Sequence, residues 1–321
     1  MSFNDSTVLV TGGAGFTGAN LARILFEKRT KITIFDNFSS GSMLNLREIK
    51  NYVTIVKSDV RDFEAVKKVV ADQDFVFHMA ANASVPDSIE NPSYDFKVNA
   101  VGTLNVLKAL LDLDSDALLV FASSAGVYSE QDSAPISEKS PLKPLSPYGA
   151  SKLTGEILYQ TFSNVYGLRT LRLRYFNVYG PLQRKYIMFD LVNKLRKRQD
   201  ILEVLGTGNQ IRDFIYISYA IDAALLLAKT PSAFGEVFNI GTGIGITIRE
   251  LVNLFLLILG IQHKAKVFYT NESWKGDVQK LIADITKMKG HGFQPEIELE
   301  TGLTRFIDWF NTSYSQGQRT V

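Results

Sequence analysis

Five short apolar runs, each closed by a polar or glycine turn, fill the first 124 residues, with stretches long enough for helices between them. They read TVLVTG (7–12), KITIFD (31–36), VTIVKSD (53–59), DFVFHMAA (74–81) and ALLVFASS (117–124). Near-continuous Val, Ile, Leu and Phe marks strands covered on both faces, and the intervening helical stretches, such as 99–113, supply the cover. That rhythm predicts an α/β fold built on a doubly wound parallel sheet. A further helix is expected at about 147–166, followed by one strand over 169–180 that ends in a loop.

Beyond residue 180 the rhythm changes. An amphipathic helix is expected at 186–198, a strand running into a glycine turn at 236–243, and a last helix at about 301–314 carrying Trp309 and Phe310. Thr247 and Glu250 have capping-box spacing, and Leu251, Leu254, Phe255 and Ile258 continue from them at i, i+3, i+4, i+7. No Pro/Ser-rich linker divides the chain. The expectation is a first domain over 1–178 and a smaller mixed α/β lobe over 179–321, interleaved and tightly packed.

The first strand runs into TGGAGFTG, in which Gly12, Gly15 and Gly18 form a G-x-x-G-x-x-G turn before a helix. A glycine at the turn permits a tight bend. One at the helix start lets a pyrophosphate approach N–H groups at the positive end of the helix dipole. The pattern alone also fits a plain strand–helix turn. Asp36 ends the second strand, 24 residues after Gly12, where a carboxylate can accept hydrogen bonds from an adenosine ribose and would repel a 2′-phosphate. NAD is therefore expected rather than NADP. Asp59, ending the third strand, suits either the adenine edge or plain solvation.

These residues, with SPYGASK at 146–152, resemble the extended short-chain dehydrogenase/reductases, specifically the nucleotide-sugar epimerases and dehydratases. The likeness runs from TGGAGFTG to GDVQKLIADITK (276–287), nearly the whole chain. It implies a Rossmann-type sheet with NAD as cofactor. Around NAD it places Gly12, Gly15, Phe16, Thr17, Gly18, Asp36, Asn37, Asp59, Val60, Ala80, Ala81, Asn99, Tyr148, Lys152 and Phe176. Asn99 fits equally a brace for the active-site backbone or an ordinary helix residue.

Tyr148 and Lys152 lie one helical turn apart, 24 residues beyond Ser124 at the end of the fifth strand. A free tyrosine has a pKa of about 10. A nearby ammonium and a positive nicotinamide ring would stabilise its phenolate and bring that value toward working pH. Tyr148 is the expected base for a sugar hydroxyl, Ser124 its hydrogen-bond partner, and Ser123 the fallback. His78 is expected to be a core histidine.

The resemblance further implies a UDP-galactose 4-epimerase type of reaction, oxidation at C4 followed by hydride return to the other face. Ala125-Gly126 stands where related 4,6-dehydratases carry Asp-Glu, and neither residue moves a proton. The chain has no cysteine, which excludes disulfides, thiolate chemistry and the Cys-dependent epimerases of this group. A nucleotide-diphosphate sugar, most plainly a UDP-sugar, is the implied substrate. The implied contacts are Ser84, Val85, Ser124, Tyr148, Asn177, Arg212, Asp277 and Leu281. Arg212 suits phosphate or a structural ion pair with Asp213. Trp274 replaces an arginine that grips phosphate in many relatives, and either stacks on a ligand or is a surface aromatic. Leu281 stands where the family limits room for an N-acetyl group, and a leucine, intermediate in size, leaves acceptance of the larger sugar open.

A net charge of +2 gives no reason for nucleic acid or a membrane surface as partner, and three widely spaced histidines argue against a metal. The longest apolar run, LFLLILGI, is too short for a bilayer, and a strand within about seven residues of the start leaves no room for a secretory leader. A cytoplasmic protein is expected, with a homodimer by analogy to relatives that pack the helices at about 93–112 and 147–166 together.

Overall fold

The computed structural model describes residues 3–129, 134–272, 278–296 and 298–315. In chain order the strands are β1 (Thr7–Thr11), β2 (Lys31–Asp36), β3 (Thr54–Lys57), β4 (Phe75–His78), β5 (Leu118–Ser124), β6 (Thr170–Tyr175) and β7 (Asn177–Tyr179). They continue as β8 (Ile201–Val204), β9 (Ile211–Tyr216), β10 (Val237–Ile240), β11 (Gly245–Thr247), β12 (Lys266–Tyr269) and β13 (Lys280–Leu281). The longer helices are α1 (Phe16–Glu27), α2 (Phe63–Val70), α3 (Val85–Glu90), α4 (Pro92–Phe96), α5 (Gly102–Asp112) and α6 (Pro147–Tyr166). After them come α7 (Tyr186–Lys197), α8 (Ile217–Ala228), α9 (Ile248–Ile258), α10 (Thr286–Gly290) and α11 (Leu299–Ser315).

Seven strands form one parallel sheet in the order β10-β6-β5-β4-β1-β2-β3. The chain winds outward one way through β2 and β3 and the other way through β4, β5 and β6. The winding therefore reverses between β1 and β4, and the crevice at their carboxyl ends is where ligands of such sheets bind. Side chains alternate between the two covers, as a period of two requires. Val8, Val10, Phe75, Phe77, Leu118 and Val120 pack toward α1 and α8, whereas Leu9, Val76, Leu119 and Phe121 pack toward α2, α5 and α6. Residues beyond 179 complete this sheet: α8 packs against β6, and β10 pairs with β6.

The remaining strands make two small sheets. In one, β9 pairs antiparallel with β11 and parallel with β13 and β7; in the other, β8 pairs with β12.

Several boundaries differ from the sequence expectation, among them the strand expected over 74–81, which stops at His78. The single strand over 169–180 is two: at Phe176, whose N–H still bonds the Ile240 carbonyl at 3.0 Å, the chain leaves the main sheet, and β7 pairs with β9. The helix expected from 99 begins as a π-turn over Lys97–Val101 and turns α-helical at Gly102. The strand expected to reach Asp59 stops at Lys57. The Thr247–Glu250 capping box forms in both directions and opens α9.

Candidate active site

The glycine turn closes the crevice on one side. Gly12 has φ +66°, a left-handed conformation, and a Cβ there would fall 2.7 Å from the Ala80 backbone nitrogen. Glycine is thus required both for the bend and for the close passage of the loop after β4. A Cβ on Gly18 would fall 2.7 Å from the Gly13 Cα, which locks α1 against the turn. Gly15 differs: it caps α1 without a side-chain bond, and a Cβ there would meet only the Gly12 carbonyl at 3.2 Å. An open backbone cradle beside an uncapped helix start fits a dinucleotide pyrophosphate. Phe16 and Thr17 form the half-buried first turn of α1.

Asp36 ends β2, 7% exposed, with one carboxylate oxygen accepting the Ala14 N–H at 2.9 Å and the other the Phe38 N–H at 2.7 Å. The same side chain placed for a ribose therefore also pins the glycine turn to β2, a role the sequence did not disclose. Burial raises its pKa despite those bonds. Each oxygen keeps a lone pair for a ribose hydroxyl. Asn37 donates to Asp59 at 2.7 Å, and Asp59 grips Arg61 through Nε and Nη2, both at 2.8 Å. The Arg61 hydrogen bond holds the Asp59 carboxyl down to about 2. Val60 is buried against Gly102, where a Cβ would strike it.

On the other side of the crevice α6 carries Tyr148 and Lys152. Ser146 caps the helix by accepting the Gly149 N–H at 3.1 Å, and Pro147 occupies its first position, where no N–H is missed. Gly155 lets the helix lie on β5, since a Cβ there would come within 2.5 Å of the Phe121 ring. Period two along β5 separates the two serines: Ser123 turns away and donates to Glu156 at 2.5 Å, while Ser124 lies on the Tyr148 side, where its hydroxyl works against the rise in the phenol's pKa. Ser124 also accepts the Gly126 N–H at 3.1 Å, and a Cβ on Gly126 would touch the Tyr148 ring at 3.5 Å. Whatever side chain occupied that position would bear on the phenol. Here there is none.

The Lys152 ammonium, 3% exposed, donates to the Ala122 carbonyl at 2.8 Å and lies 5.0 Å from the Phe121 ring centre. Burial lowers its pKa to about 8, opposed by the charges of Asp95 and Glu156. The sequence reading had the ammonium drawing the Tyr148 phenol down. In the structure burial outweighs every other influence there and raises it, Ser124 opposing and Asp95 adding to the rise. His78 is fully buried between the hydroxyls of Thr11 (2.8 Å) and Thr103 (3.0 Å), and burial drops its pKa to about 3, so it is a neutral core residue.

The loop after β4 carries Ala80, whose N–H bonds the Thr11 hydroxyl at 3.2 Å, then Ala81. Ser84 caps α3 by accepting the Asp87 N–H at 3.2 Å, and Val85 follows as its first residue. Asn99 is a brace: its side chain accepts the Asn82 N–H at 2.8 Å and donates to Ser151 at 3.0 Å, tying that loop to α6. Two residues that the sequence reading passed over are joined to this assembly. Asp95, fully buried, takes hydrogen bonds from Ser151, Asn99 and Asn82, and only its spacing of four from Asn99 could have flagged it. Tyr186, at φ +69°, reaches from α7 to the Ala83 carbonyl; nothing in its sequence setting marks it.

The small sheet gathers Asn177, Arg212 and Leu281. Leu281 stands opposite Arg212 across β13–β9, and Asn177 donates to the Asp213 carbonyl at 3.0 Å. Phe176 is buried, 6.3 Å centre to centre from the Tyr128 ring. The Arg212–Asp213 ion pair is replaced by another arrangement. Asp213 turns inward and accepts the N–H groups of Thr242, Gly243 and Ala283 and the Thr242 hydroxyl at 2.6–3.1 Å, as residues adjacent on a strand face opposite ways. Asp277 and Trp274 lie outside the described residues.

A family model described as the NAD dependent epimerase/dehydratase family matches residues 8–241. UDP-glucuronate 4-epimerase 4 of Arabidopsis thaliana is 32% identical over 99% of this chain and 78% of its own. Among solved structures, a UDP-N-acetylglucosamine 4-epimerase of Methanobrevibacter ruminantium in complex with UDP-N-acetylmuramic acid superposes with a TM-score of 0.90 at 32% identity, over 97% of this chain and 99% of that one. A UDP-glucose 4-epimerase of Thermotoga maritima with UDP-glucose gives 0.89 at 32% identity, over 96% and 99%.

Proposed function

The chain belongs to the NAD-dependent epimerase/dehydratase family, and on that premise we propose that it is a nucleotide-sugar 4-epimerase acting on UDP-glucose and UDP-galactose. The observation that carries this reading is the Ser124–Tyr148 pair with Lys152 one turn away, flanked by Ala125-Gly126, which offers no acid for dehydration. Gly12, Gly15, Gly18 and Asp36 would hold NAD along the crevice, with Lys152 at the nicotinamide ribose. Bound NAD supplies a hydride acceptor and donor at C4 of the sugar.

Tyr148 takes the proton of the C4 hydroxyl as the ketone forms and returns it when the alcohol is restored. Ser124 shares that hydrogen bond and keeps the oxygen in line. Rotation of the keto sugar between the two transfers inverts C4, so no net oxidation occurs. Asn177 and Arg212 on the small sheet would receive the diphosphate, Ser84 and Val85 the sugar, and Leu281 would limit the group at C2. We place residues 1–178 and 179–321 as the cofactor and substrate lobes, interleaved through β10.

Among the described residues no helix is long and apolar enough to cross a membrane. A cytoplasmic homodimer is the setting we propose. Leu104 on α5 and Ile157 and Val165 on α6, 37%, 57% and 65% exposed, supply apolar surface for helix packing between subunits.

Incubation of the purified protein with UDP-galactose and no added reductant should yield UDP-glucose. A 4-keto-6-deoxy product would make it a dehydratase, and no turnover of any nucleotide sugar would make it a silent NAD-binding protein.

A further inference from the structure

Asp95 is wholly buried and touches neither the cradle nor the crevice, yet it bonds both walls of the site. One oxygen accepts the Ser151 hydroxyl at 2.6 Å, next to Lys152 on α6. The other accepts the side-chain amides of Asn99 at 3.1 Å and Asn82 at 3.2 Å, the latter in the loop that follows Ala80-Ala81. All three partners donate, the arrangement a carboxylate takes and a protonated acid cannot fully use. Burial raises the Asp95 pKa, and the Ser151 and Asn82 hydrogen bonds with the Lys152 charge oppose that rise, so that a buried carboxylate stands beside the helix turn that carries both Tyr148 and Lys152.

The charges around Lys152 can be followed element by element. From β4 comes His78, neutral. From β5 come the Ala122 carbonyl and the Phe121 ring. From α6 itself come Tyr148 and Glu156, but Glu156 is already held by Arg174 of β6 at 2.6 Å and by Ser123. From α4 comes Asp95, with neutral amides and a hydroxyl as its hydrogen-bond partners.

We propose that Asp95 is a positioning residue for the reaction: it fixes the cofactor loop against the catalytic helix and supplies the charge that keeps Lys152 an ammonium beside Tyr148. The inference rests on the reading of Tyr148 as the base. Its charge acts on two groups in the same direction. It stabilises the Lys152 cation and disfavours the Tyr148 anion, so it raises the pKa of both. Removing it lowers both.

In Asp95→Asn, which keeps shape and loses charge, the whole pH profile of kcat/KM should move toward acid by about one pH unit, both limbs together. Ultraviolet titration of the NAD-bound protein, read against the same variant with Tyr148→Phe, should show the phenolate forming at correspondingly lower pH. A lower rate with both limbs and the phenolate titration unmoved would reduce Asp95 to a brace and overturn the proposal. If Asp95→Asn does not fold, Asp95→Glu decides, because it disturbs the seat but keeps the charge. Limbs at the wild-type pH support the proposal, and displaced limbs overturn it. Failure of the functional reading looks different: the wild-type protein itself would turn over no nucleotide sugar.

Discussion

Behind the strand that carries Ser124 lies a buried ion pair whose removal can be worked through quantitatively. Arg174 and Glu156 meet at 2.6 Å with side chains 4% and 3% exposed, and Arg174 Nε reaches both carboxylate oxygens at 2.9 and 3.1 Å. Arg174 also donates to the Tyr128 hydroxyl at 2.7 Å, which donates onward to Asn239 at 2.8 Å, while Ser123 donates to Glu156. Glu156→Leu alone leaves a desolvated guanidinium without its counter-charge, and Arg174→Met alone leaves a desolvated carboxylate. Each should cost about 3–5 kcal/mol. The double variant removes both ions together; the Ser123 hydroxyl loses its acceptor, and the Tyr128 oxygen and the Glu138 carbonyl lose a donor, at about 1 kcal/mol each. It should lie within about 3 kcal/mol of wild type, a coupling of several kcal/mol. Urea unfolding of the NAD-free protein followed by circular dichroism measures the cycle. At roughly 2 °C per kcal/mol, each single variant should melt about 6–10 °C early. Singles that cost less than about 1 kcal/mol, or a double as costly as their sum, would refute the claim that the pair is held by mutual compensation.

Three further outcomes are expected. Tyr148→Phe should keep the fold and bind NAD but lose about 10²–10⁴-fold in turnover, and wild-type-like rates would remove Tyr148 as the base. Asp36→Ala should weaken NAD binding and relax discrimination against NADP, read by cofactor titration; unchanged preference would take Asp36 off the ribose. Lys152 has a folded pKa of about 8 against an ordinary 10.5, so the unfolded chain binds more protons between those values and folding is favoured as pH rises through that window. The stability difference between wild type and Lys152→Met should therefore move in favour of wild type from about pH 8 to 10.5, and a pH-independent difference in urea midpoints would show that Lys152 titrates normally.

The parallel sheet was legible because burial on both faces leaves its strands no polar alternation, and the frame of α6 because Ser146-Pro147 is a helix start in any context. What escaped was whatever depends on a partner distant in sequence. Phe176 hands the chain to β9 because the Ile240 carbonyl holds its N–H while Asn177 already pairs with Phe214, and no local pattern announces either. Asp36 was readable as a strand-end carboxylate, but its bond to Ala14 needed the folded turn. Strand alternation and the family resemblance already favoured Ser124 over Ser123; what the sequence withheld was the Glu156–Arg174 pair that claims Ser123. Asp95 and Tyr186 were silent for the same reason, since Ser151, which ties Asp95 to α6, lies 56 residues away and Ala83, which receives Tyr186, lies 103 away.

The two buried cations near the site are treated differently by the fold, and the difference separates scaffold from function. Arg174 finds a full set of partners in Glu156, Tyr128 and the Glu138 carbonyl, so its charge is closed within the protein and ties β6 to α6. Among the described residues Lys152 makes one hydrogen bond, to Ala122, and otherwise has the more distant charges of Asp95 and Glu156 to keep it protonated. A buried ammonium so sparingly met is unfavourable on its own account, and a sequence selected for stability alone would place an apolar side chain there. Its persistence one turn from Tyr148, with a pKa drawn close to neutrality, is explained if its remaining donors and its charge are used on a ligand. The closed pair beneath it makes that possible, because Arg174 holds Glu156 and, through Ser123, the orientation of the strand from which Ser124 faces the phenol.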